Sequence, residues 1–247
     1  MPRALPLLLL LLIPGALPAQ ARRVLFVGNS LTYVNDLPGL VARISATLGA
    51  PLETHALAHP DYGIEDHLAE GVLARLLARE RWDVVVLQQG PSSLPESGAN
   101  LTEFAAKAAA LARAHGACPA VYMVWAEASR PGSFDAVRDH YRAAADSAHA
   151  QFLPAGEAWR AAWRRDPSLP FYAPDGLHPT PLGTYLAALT ISAALTGRSP
   201  TADTTTVAGA ELTPARRRLL AHAAANVLSD LPRQCAPNAN ASTHADP

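Results

Sequence analysis

Short apolar runs at Val24–Val27, Trp82–Leu87 and Ala120–Trp125, interrupted only by Asp83, predict strands covered on both faces. Residues 51–58 alternate well enough for another strand, and Gln151–Leu153 is long enough for a short fifth. Between these runs the apolar positions change to helical spacing. Leu37, Leu40, Val41, Ile44 and Leu48 recur on one face behind Asp36 as N-cap, with Gly49 just past the end. One helix is expected over Ile64–Arg79, and another over Leu101–His115 behind a capping box of Asn100 and Glu103. Phe134, Val137, Tyr141, Ala144 and Ala148 form a stripe after Ser133, and a short helix is expected over Glu157–Arg165. Thr180-Pro181 and Thr213-Pro214 each pair a cap with a proline at the first helical position; they open helices to Thr196, stopped by Gly197, and to about Ser229. Strands alternating with helices predict one three-layer α/β domain, a mostly parallel sheet of about five strands between helices.

The two ends read differently from this domain. Arg3, the apolar run Leu5–Ile13 and the small-residue pattern Ala19-Gln20-Ala21 make residues 1–21 a cleavable signal peptide. That run is too short to span a bilayer, which takes about 20 apolar residues, so no stable membrane insertion is expected after cleavage. The domain then covers residues 22–231, and the polar, proline-bearing residues 232–247 are expected to be a disordered tail. Without the leader the balance is 19 Lys+Arg against 21 Asp+Glu with no long run of either sign, which argues against a nucleic-acid partner. Export would put Cys118 and Cys235 in an oxidising compartment, where they could be free or paired.

Candidate chemistry gathers where strands end. In open parallel sheets ligands bind at the carboxyl edge, and the loops there carry Ser30, the pair Gln88-Gln89, and Asp175 with His178. A serine hydroxyl needs a neutral imidazole to take its proton, and the imidazole needs a carboxylate to fix its tautomer. Asp175, three residues before His178 in a loop stiffened by four prolines, can supply both groups from one turn. The oxyanion that forms would need a backbone N–H at the serine, one at a glycine, and a side-chain amide. His55, His59 and His67 are loosely clustered with no cysteine among them and match no usual metal set.

These blocks resemble the SGNH, or GDSL-like, hydrolases. Gly28-Asn29-Ser30-Leu31 is similar to the first block of that superfamily, with Asn29 where aspartate is usual. Tyr62-Gly63 stands where the oxyanion glycine is expected, and Asp175-Gly176-Leu177-His178-Pro179 matches the last block. The third block departs: Gly90-Pro91-Ser92-Ser93 replaces Gly-x-Asn-Asp, while Leu87-Gln88-Gln89-Gly90-Pro91-Ser92 resembles a subset with Leu-Gln-x-x-Ser. The resemblance implies a flavodoxin-like fold and a triad of Ser30, His178 and Asp175, with no cofactor and no metal. It implies an oxyanion hole of Ser30, Gly63 and Gln89, the last preferred to Gln88 because it lies nearer the loop. Glu127 and Arg130, after the fourth strand, are candidate substrate contacts; the alternative is an ion pair with each other. The function expected is a secreted or periplasmic serine esterase acting on a small-molecule or carbohydrate ester, with a short acyl group on a polysaccharide favoured. The alternative is a non-catalytic carbohydrate-binding or cell-envelope module on the same fold.

Overall fold

The computed structural model describes residues 21–200 and 209–235. The leader up to Gln20, part of the Thr-rich segment after Thr201, and the tail beyond Cys235 lie outside the described residues.

Five strands form one parallel sheet: β1 Arg22–Gly28, β2 Leu52–Ala58, β3 Val84–Leu87, β4 Cys118–Tyr122 and β5 Gln151–Leu153. Their order is β2-β1-β3-β4-β5. The chain moves one way from β1 to β2 and the other way afterwards. Right-handed crossovers therefore put the first connection on one face and the later ones on the other. α2 (Leu37–Thr47) follows β1 and packs on α8 (Pro181–Thr196), which also carries α7 (Ala155–Trp163) and α9 (Pro214–Leu228). α3 (Ile64–Ala69), α5 (Pro95–Ala114) and α6 (Phe134–Ser147) pack together in the other layer. β1 and β3 are central and wholly apolar inside, and α8 is buried along nearly its whole length. The topology opens a crevice between the carboxyl ends of β1 and β3, the switch point at which such sheets bind ligands.

Several boundaries differ from the periodicity, each for a physical reason. The helix expected over Ile64–Arg79 is two, α3 and α4 (Val72–Arg79), because Gly71 takes a left-handed φ of +67° between them. α5 begins at Pro95 rather than after Asn100, with Ser97 bonding back to Leu94 at its start; Asn100 lies inside the helix and donates to Glu65 Oε2 at 2.8 Å. The expected caps at Asp36 and Thr180 are present, accepting from Gly39 N–H and Gly183 N–H. Cys118 and Cys235 form a disulfide with 5.6 Å between their Cα atoms. The tail expected from Pro232 therefore starts too early. Cys235 is buried, its N–H donates to Gln151 Oε1 at 2.6 Å, and Arg22 donates to its carbonyl.

Candidate active site

Ser30 opens a one-turn helix, α1 (Ser30–Tyr33), straight after β1. Asn29 caps it, accepting at Oδ1 from Leu31 N–H at 3.1 Å. This turn exposes the Ser30 hydroxyl at the edge of the sheet while its neighbours stay buried. The Ser30 N–H carries no hydrogen bond among the described residues, so it is free to face a ligand.

His178 arrives from the long loop between α7 and α8. Asp175 Oδ1 accepts from the N–H groups of Leu177 and His178, both at 2.9 Å, and Asp175 Oδ2 lies 2.7 Å from His178 Nδ1. Those backbone donors, then the imidazole, hold the Asp175 carboxyl down to about 2. An ionised Asp175 accepts a hydrogen bond from Nδ1–H, which keeps the proton on Nδ1 and leaves Nε2 as an acceptor. Nε2 sits 2.8 Å from Ser30 Oγ. The turn requires Gly176, whose φ is +72°.

Groups that sequence reasoning did not single out anchor this loop. Trp125 Nε1 donates to Leu177 O at 2.8 Å, Ala128 N–H to Gly176 O at 2.8 Å, and the Tyr172 hydroxyl to Ala126 O. Asn35, just after the Ser30 turn, donates to Pro179 O and Thr184 Oγ1, both at 2.9 Å, and so ties the serine side to the histidine side. Asn35 carries a visible signal only in being a polar residue in a short loop; its partners are nearly 150 residues away.

The glutamines divide. Gln88 is fully buried beneath the Ser30 turn with both amide hydrogens committed, to Asn29 Oδ1 and Gln89 O. Gln89 lines the cleft with Ser30, Gly63, Ser92 and Leu177; its Nε2 donates to Ser92 Oγ at 3.0 Å and reaches Asn100 Oδ1 at 3.4 Å. Gly63 also lines the cleft, but its N–H donates to Asp66 Oδ2 at 2.8 Å, inside the first turn of α3. Glu127 and Arg130 are not among the residues lining this cleft, and they do not form the ion pair considered for them. Arg130 N–H donates to Glu127 O, and Ser129 to the Glu127 carboxylate. His59, His67 and Tyr62 form a ring cluster, while His55 packs edge-on against Trp82.

The cleft over Ser30 encloses about 300 Å³. A larger cavity of about 490 Å³ is lined by Phe134, Arg160, Trp163 and Tyr172 among others, and Ser30, Asp175 and His178 do not line it. The smaller cleft is the candidate site, because the hydroxyl, imidazole and free N–H converge there.

Comparison with solved structures places the fold. A candidate SGNH hydrolase from Slackia heliotrinireducens is 27% identical, with a TM-score of 0.60 over 70% of this chain and 97% of that one. The chain belongs to the SGNH hydrolase superfamily. A DUF4886 family protein from Bacteroides uniformis shares the fold at 19% identity, with a TM-score of 0.67 over 85% of this chain and 95% of that one. An acetyl xylan esterase, AlAXEase, shares it at 15% identity, with a TM-score of 0.53 over 67% and 96%. No protein-family model and no curated protein sequence matches the chain. As an SGNH hydrolase fold the molecule has its serine, aspartate and histidine blocks at one sheet edge, and its structural neighbours include a lipase/acylhydrolase and an acetyl xylan esterase.

Proposed function

We propose that this chain is an exported serine esterase that removes a short acyl group from a carbohydrate. The observation that carries the reading is the unbroken relay from Asp175 to His178 to Ser30, at 2.7 and 2.8 Å. Ser30 Oγ attacks the acyl carbonyl as His178 Nε2 takes its proton, and Asp175 stabilises the imidazolium. The oxyanion is received by the free Ser30 N–H and by the Gln89 amide turning from Ser92; the Gly63 N–H contributes once the Asp66 carboxylate swings away from it. His178 then protonates the departing alcohol, leaving an acyl-serine. Water deprotonated by His178 hydrolyses it and releases the acid.

The size of the cleft, at the low end of ligand pockets, favours a small acyl group. The acetyl xylan esterase among the neighbours favours an acetylated carbohydrate as the alcohol part. Export is supported by the leader pattern and by the disulfide, which is stable in an oxidising compartment.

The test is hydrolysis of p-nitrophenyl acetate by purified protein, with Ser30→Ala as the control. Hydrolysis that disappears in the variant supports the reading. Absent hydrolysis, or hydrolysis undiminished in Ser30→Ala, overturns it in favour of a non-catalytic module.

A further inference from the structure

Two buried amides connect the nucleophile's turn to the opposite wall of the cleft. Gln88 Oε1 accepts from Asn29 N–H at 3.0 Å and from the Thr32 hydroxyl at 2.6 Å. Its Nε2 donates to Asn29 Oδ1 at 3.0 Å and to Gln89 O. Asn29 extends the chain of bonds, since its Nδ2 donates to Tyr62 O at 3.0 Å. Gly28 makes room for this: a Cβ there would lie 2.3 Å from Gln88 Oε1 and 2.5 Å from Thr32 Oγ1. Every polar atom of the Gln88 side chain is thus used, and Asn29, only 6% exposed, bonds through both ends of its amide.

The Tyr62 carbonyl and the Gly63 N–H belong to one planar trans peptide, so fixing either end sets the direction of the other. Asn29 holds the carbonyl end and Asp66 the N–H end. The backbone facing Ser30 across the cleft is therefore oriented by the residue immediately before Ser30.

We propose that Asn29 and Gln88 are positioning residues, a clamp that holds the Ser30 turn and the Tyr62–Gly63 peptide in register, and that position 29 must be an amide because it donates to Tyr62 O. A carboxylate at that position would still accept from Leu31 N–H and from Gln88. It would also set a negative oxygen against a carbonyl with no hydrogen between them. This inference rests on the esterase reading, because its effect is read in turnover.

Asn29→Asp tests it with almost no change of shape. With p-nitrophenyl acetate, kcat should fall about tenfold at alkaline pH, as expected when an oxyanion wall shifts, while KM changes less than about twofold. The ratio of variant to wild-type kcat should climb back as pH falls toward about 5, because the protonated carboxyl regains a hydrogen for Tyr62 O and burial brings that protonation into range. The titratable groups around the clamp are His59, His67, Asp66 and Glu70 on the α3 side and Asp175 and His178 on the other. All are common to both proteins, so the ratio isolates the introduced carboxyl. Should Asn29→Asp fail to fold, Gln88→Glu is read in the same way, since its protonated carboxyl regains the hydrogen lost toward Asn29 Oδ1. A folded variant whose ratio is flat with pH, or whose kcat matches wild type, overturns the clamp alone. Wild-type hydrolysis that does not depend on Ser30 overturns the esterase reading and the clamp with it.

Discussion

Replacing Gln89 by alanine removes the cleft-lining side-chain amide proposed to receive the oxyanion. Loss of one such donor costs about 2.7–4 kcal/mol of transition-state stabilisation. In the free protein, however, the Gln89 Nε2 hydrogens are not idle, because one is given to Ser92 Oγ at 3.0 Å. Turning it to an oxyanion gives up a neutral hydrogen bond worth about 0.5–1.5 kcal/mol net. The difference is about 1–3.5 kcal/mol, which predicts a kcat roughly 5- to 400-fold lower in Gln89→Ala. KM should change little, since the bond is made mainly in the transition state. Ser92→Ala supplies the complementary arm, as it frees the amide and should leave kcat equal to or above wild type. Both are measured with p-nitrophenyl acetate, with thermal melting to establish that each variant is folded. A folded Gln89→Ala protein that retains more than about a third of wild-type kcat lies outside the range worked above and refutes the amide as donor.

Asp175→Asn should keep the fold but lower kcat by up to about 10⁴-fold, measured as initial rates, because an amide would not hold Nδ1 protonated. Its effect on stability should depend on pH. The Asp175 carboxyl is depressed to about 2, so its contribution is full above the ordinary value near 3.9 and is lost as pH falls through about 2. Melting temperatures of variant and wild type should therefore converge at acid pH; a constant gap would mean that the ionised carboxylate stabilises nothing. The disulfide closes a loop with a sequence separation of 117, worth about 4.9 kcal/mol on the chain-entropy relation. Cys235→Ser should then melt roughly 10–20 °C below the oxidised protein, and equal melting curves would show the bond unformed in solution. Protein recovered from an exporting host should begin near Gln20 or Arg22, as read by N-terminal sequencing, and an intact Met1 would refute the leader.

Much of this molecule is settled by local chemistry that a sequence displays directly. The apolar runs at Val24–Val27 and Val84–Leu87 can be buried on both sides only in a covered sheet, and the caps at Asp36 and Thr180 start helices through their own side chains. The spacing from Asp175 to His178 closes within one turn, which is why that half of the relay was legible without coordinates. What the sequence could not decide depends on which distant segments meet. The order β2-β1-β3-β4-β5 brings the end of β3 beside the end of β1, and this alone puts Gln88 under the Ser30 turn and Gln89 in the cleft. The two glutamines are neighbours of one residue type, and only the direction of each side chain from the strand separates a buried tie from a cleft-lining donor. The Cys118–Cys235 bond and the exclusion of Glu127 and Arg130 from the cleft are of the same kind. Each is a contact or a separation between groups far apart in the chain, fixed by how helices and loops pack on the sheet rather than by any residue's own preference.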